Sequence, residues 1–193
     1  MENSTAPTTF QGDFSTMWQL GLREPRWHLT WDWWWWLVML DDPDGAPWGK
    51  QLMVLWSTKD NDRVQVNGTP WTPSGRPGKD EHGGMVIDGM VCAWWFDGQR
   101  MHEPYIKRTC DMIAMDDQHP SWPGLTQGNG GGAVVPLLPE DLSMGLNSDR
   151  ESFWLNLVGD AEAVVGGAPA KMSLTLTPWN PAMSVARPST ATY

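Results

Sequence analysis

Residues 88–108, DGMVCAWWFDGQRMHEPYIKR, set one carboxylic acid among thioether and aromatic side chains. Asp-Gly supplies the positive φ that a two-residue hairpin turn needs, so a turn at Asp97-Gly98 places Phe96 opposite Gln99. One face of that hairpin then pairs Trp94 with Met101, Cys92 with Glu103, Met90 with Tyr105 and Asp88 with Lys107. The other pairs Trp95 with Arg100, Ala93 with His102 and Val91 with Pro104. The first face is the apolar one and is expected to point inward, taking Glu103 with it. A carboxyl kept from water has a raised pKa and can donate a proton near neutrality. Glu103 is therefore the candidate catalytic acid; the plainer alternative is that it bonds Tyr105 or a backbone amide and closes the fold. On the same register Asp88 and Lys107 form a salt bridge, Arg100 lies over the Trp95 ring, and His102 faces outward.

Other chemistries find no support. GNGGGA at 128–133 has glycines in dinucleotide-binding spacing, but the VVPLLP that follows cannot open a helix. His28, His82, His102 and His119 never stand at zinc-ligand spacing, and HEPYI is not a metalloprotease motif. DDPDG at 41–45 and DND at 60–62 lack the later glutamate of a calcium loop. No GxSxG or activated cysteine setting occurs, and Cys92 and Cys110 read as free buried thiols. No metal and no cofactor are expected.

The elements that would position these residues are strands. Short β-patterned stretches recur at 29–40, 49–57, 63–66, 84–96, 99–107, 110–115, 133–138, 152–158 and 171–178, and no segment keeps a 3.6-residue period. Turn residues separate them: DDPDG at 41–45, VNG at 66–68, FDG at 96–98. The expected fold is all-β: an antiparallel lipocalin-like β-barrel or β-sandwich with short helices or none. Residues 69–84 and 116–132, rich in Pro and Gly, suit loops at a barrel mouth. The chain divides into an N-terminal arm at 1–25, a β module at 26–179 and an irregular tail at 180–193.

In WDWWWWLVML, residues 31–40, five of the first six positions are tryptophan. Alternation puts Trp33, Trp35, Leu37 and Met39 on one side and Trp34, Trp36, Val38 and Leu40 on the other, so both faces must be covered. QLMVLW at 51–56 has the same character, with Leu52, Val54 and Trp56 opposite Met53 and Leu55, and the two runs are expected to pair. One face would line a pocket, since flat rigid indoles offer much contact area at little entropic cost; the alternative is that the indoles fill a core. Trp33, Trp35, Trp56, Met90, Trp94, Met101 and Tyr105 are the candidate ligand-binding walls. Trp34 and Trp36 would meet a second layer.

With 193 residues the chain suits one domain and can bury a real core. Its net charge of -10 repels a phosphate backbone and argues against nucleic-acid binding. An acidic surface with more Arg than Lys suits a high-salt cytoplasm, or equally an ordinary acidic soluble protein. The longest apolar run, 33–40, is far below the roughly 18 to 20 residues that cross a bilayer as a helix. MENSTAPTTF has no basic n-region or apolar h-region, so a cytoplasmic location is expected.

WDWWWWLVMLDDPDGAPWGKQLMVLWSTKD, with DGMVCAWWFDGQRMHEP and the later SLTLTPW, resembles the hydroxyneurosporene synthase (carotenoid 1,2-hydratase) and AttH-type family. The resemblance covers about residues 26–179. It implies a lipocalin-like module with an apolar pocket, cofactor-free, and a carboxylic acid that protonates carbon while water adds across an isoprenoid double bond. Fold alone does not transfer that chemistry. Asp32 and Asp97 match family positions and read as structural. Such proteins usually carry two modules, so a second lipocalin-like module, or a second copy docked through the Trp34 and Trp36 face, is the expected partner. The function expected is binding of an isoprenoid, carotenoid-like or polyketide-like molecule, as part of a hydratase or cyclase, or as a carrier with no chemistry.

Overall fold

The computed structural model describes residues 31–40, 49–59, 64–66, 68–72, 78–81, 84–102, 104–115, 130–149, 151–161 and 169–177. Among them are eleven strands and no helix: β1 (Trp31–Leu40), β2 (Lys50–Lys59), β3 (Val64–Val66), β4 (Thr69–Trp71), β5 (Gly78–Lys79), β6 (Met85–Phe96), β7 (Ile106–Met115), β8 (Gly132–Val134), β9 (Ser143–Leu146), β10 (Phe153–Val158) and β11 (Lys171–Leu176). The expected arm at 1–25, the tail at 180–193 and the turn at 41–45 lie outside the described residues.

Nine strands make one sheet in the order β1-β2-β6-β7-β8-β9-β10-β11, with β5 against β6, while β3 and β4 pair apart. The sheet is antiparallel and curls until it nearly closes into a barrel, as the patterning required. The two Trp-rich runs pair as expected: Trp34 stands opposite Trp56, Trp36 opposite Val54 and Val38 opposite Leu52. β4, β5 and β9 were not foreseen, because two to four residues are too few to show a period.

One side of the sheet forms a continuous apolar core that runs from Trp34, Trp56, Val91 and Trp95 through Met112 and Met144 to Leu155 and Met172. Curling lets β1 reach across to strands far away in sequence. The Trp36 ring meets Phe153 edge-on at 5.0 Å and 61°. The interior is therefore filled by side chains from every strand of the path.

The far wall is tied by a polar ladder. Asn156 stands opposite both Ser143 and Ser173. Its Nδ2 donates to Ser143 Oγ at 3.1 Å, and Ser173 Oγ donates to its Oδ1 at 2.7 Å. Beside it, Gly145 faces Gly132. A Cβ on Gly145 would stand 2.6 Å from both the Gly131 carbonyl oxygen and the Trp154 ring, so only glycine lets the indole lie flat there. Gly132 belongs to β8 rather than to a nucleotide loop.

The β6–β7 hairpin departs from the expected register. Phe96 faces Met101, so the turn holds four residues, Asp97 to Arg100. Asp97 Oδ1 accepts the backbone N–H of Gln99 at 2.8 Å and of Arg100 at 3.0 Å, and this side-chain bridge stabilises the wider turn. Gly98 there has φ +100°. A bulge follows. His102 N–H donates to the Trp95 carbonyl, and by Ile106 the pairing has moved to Ala93. Pro104, without an N–H to give, stands inside the bulge, where no ladder bond is asked of it. The two offsets add, so Cys92 faces Lys107 and Asp88 faces Asp111. The expected Asp88–Lys107 and Arg100–Trp95 pairs do not form opposite one another, because a turn and a bulge each add two residues.

Candidate functional site

Both faces of β1 are apolar, and the curl decides which is inner. Trp34, Trp36 and Val38 point to the core with Trp56, Val54 and Leu52. Trp33, Trp35 and Leu37 point out, and they stay 45%, 49% and 52% exposed. The expected inward face of β1 is thus the outer one. The reason is the far wall: Trp36 Nε1 donates to Met144 Sδ at 3.2 Å, a contact open to only one side of the strand. Alternation alone sees two equally apolar sides.

The outer residues nonetheless form one group, as the pairing of the runs implied. Ser57 stands opposite Trp33 and Met90, Leu55 opposite Trp35 and Cys92, and Met53 opposite Leu37 and Trp94. Leu55, Met90 and Cys92 are buried, with Trp94 packed against them. Trp35 and Trp94 stand two strands apart, about 9 to 10 Å of sheet. Their rings close that gap over β2, stacking at 6.5 Å and 19°. Trp33 meets Trp35 edge-on at 5.9 Å and 73°. Trp35 thus links Trp33 and Trp94 into a row of three indoles that roofs an apolar floor while keeping one side free.

The candidate walls separate accordingly. Trp33, Trp35, Met90, Trp94 and the half-exposed Met101, opposite Phe96, share the outer face. Trp56 is fully buried on the inner side. Tyr105, displaced by the bulge, also belongs to the core, and its hydroxyl donates to the Pro169 carbonyl. Burial pushes the Tyr105 phenol above its ordinary pKa. Glu103 lies outside the described residues.

His102 is buried, not outward as expected, and its Nε2 lies 2.6 Å from Asp97 Oδ2. The Arg100 amide, then the His102 ring, hold the Asp97 carboxyl well below the usual carboxylate range. That carboxylate ties the hairpin tip to its own strand. The two thiols are poor nucleophiles: burial pushes Cys92 to about 11 and Cys110 to about 12.

Sequence reasoning passed over Leu37, Leu55 and Ser57. Ser57 is 1% exposed, and its hydroxyl has no hydrogen-bond partner among the described residues. Its signal was present: it follows Met53 and Leu55 at the same two-residue spacing. Among the described residues no group of three or more His, Cys, Asp or Glu could hold a metal ion, and no helix is long and apolar enough to cross a membrane.

No protein-family model, no curated protein and no solved structure matches this chain.

Proposed function

We propose that this chain is a binding module that holds an apolar isoprenoid- or polyketide-like molecule against the outward indole face of β1, β2 and β6. The observation that carries this reading is the cluster of Trp33, Trp35 and Trp94, in ring contact and yet, at Trp33 and Trp35, half exposed. An interior already filled by Trp34, Trp36 and Trp56 favours the outer face over the barrel hollow as the binding surface. A rigid aromatic surface held open to water loses free energy when an apolar molecule covers it. The Ser57 hydroxyl, on β2 opposite Trp33, supplies one polar handle, for an oxygen at the end of such a ligand.

Retinol, a polyene that accepts energy from excited indole, is a direct probe. Titration should quench tryptophan emission to saturation, and Trp33→Ala with Trp35→Ala should weaken binding at least tenfold. Unchanged affinity in the double variant would sink the reading. A hydrated product in the same mixtures, lost in Glu103→Gln, would move the chain from carrier to enzyme.

A further inference from the structure

Pockets that hold small apolar molecules are concave and bury most of the ligand. A single sheet face leaves the far side of its ligand wet, so the surface described above is half of a site. Its four half-exposed side chains, Trp33, Trp35, Leu37 and Met101, each leave on the order of 100 Å² uncovered, about half of what one partner contributes to a standard interface. Uncharged apolar patches of that extent mark places where another surface docks.

The charges flanking the patch name the partner. Lys107, opposite Cys92, and Asp111, opposite Asp88, are both exposed on the outward side of β7, about 13 Å apart along the strand. Cation and carboxylate thus stand on one face, one on either side of Thr109. A two-fold axis between two such faces, at right angles to the strands and level with Trp33, Ser57, Met90 and Thr109, brings each Lys107 over the other copy's Asp111. A chain of net charge -10 repels its own copies in most orientations; this one pairs opposite charges twice.

We propose that two copies of this chain dock these faces about that axis, so that the indoles of each roof the other and the ligand slot lies between them. The docking stands on the patch and its charges; the enclosed slot rests on the binding reading given above.

Sedimentation equilibrium of the full chain tests the docking. Wild type should sediment at twice the chain mass. Trp35→Glu should sediment as a monomer with unchanged far-ultraviolet circular dichroism. Lys107→Glu should weaken the dimer at least tenfold, and adding Asp111→Lys to it should restore the dimer by exchanging the charges. A monomeric wild type, or a double variant as weak as the single, would overturn the proposal. Retinol binding, followed in parallel, separates the two ideas. A dimer that takes up no retinol overturns the binding reading, and with it the enclosed slot, but leaves the docking standing. Full retinol affinity in monomeric Lys107→Glu, whose indoles are intact, overturns only the enclosed slot.

Discussion

Trp36 crosses the barrel and donates its indole N–H to the Met144 sulfur, 3.2 Å away and 108 residues further along the chain. This contact orients β1. With Trp36 turned inward, its neighbours Trp33, Trp35 and Leu37 can only face out, and the molecule acquires an aromatic surface that alternation alone would have hidden in its core.

The two sides of the Trp-rich pair should therefore respond differently to truncation. Trp56→Ala empties a fully buried site and should cost about 3 to 5 kcal/mol of stability. Trp33→Ala removes a half-exposed ring and should cost under about 1 kcal/mol. Urea unfolding measures both, and equal losses would contradict the assignment of faces.

Asp97 should make the fold acid-sensitive. Its folded pKa lies below its unfolded value, so the unfolded chain binds the extra proton and stability rises with pH through that window. The contribution is whole above the ordinary carboxylate range of about 4 and is lost as pH falls further. In Asp97→Asn the slope of unfolding free energy against pH below about 4 should be shallower than in wild type.

The thiols should act at the alkaline end. Cys92 and Cys110 rise from 9.0 to about 11 and about 12, so the folded chain keeps protons that the unfolded chain gives up. Their contribution is whole below pH 9.0 and falls away as pH climbs toward those values. A Cys92→Ala, Cys110→Ala chain should show a flatter decline in guanidinium midpoint above pH 9.0, whatever its absolute stability. In a Cys110→Ala chain at neutral pH, the buried Cys92 should react with a disulfide reagent only as fast as the chain unfolds.

The ladder on the far wall should behave as a unit. Asn156→Ala strands the buried Ser143 hydroxyl and should cost about 1 to 3 kcal/mol. With Ser143→Ala added, the second loss should be smaller than in the wild-type background, and strictly additive losses in the double-mutant cycle would deny the coupling.

Much of the fold was legible in the chain. The β1–β2 pairing followed from two apolar runs across a turn, and the strands at 84–96, 152–158 and 171–178 followed from alternation, since side chains of a strand take opposite sides in strict turn. The group of Trp33, Trp35, Met90, Trp94 and Met101 was also legible, because residue parity survives any even shift of register. The shift itself was not. Asp97 reaches past the tight turn to two amides, and the bulge around Pro104 moves Tyr105 to the other side. Nothing in local propensity forbids the shorter turn.

By itself the amino-acid order determined that this chain is antiparallel β and which residues travel together on a face, because both depend only on local backbone geometry and spacing. Which face lies inside was decided by the tertiary structure alone. β1 carries indoles on both sides, and burying one of them required a partner surface, supplied by Met144 and Phe153 from more than a hundred residues away. The side those two residues cover became core, and the other was left as a half-exposed aromatic surface.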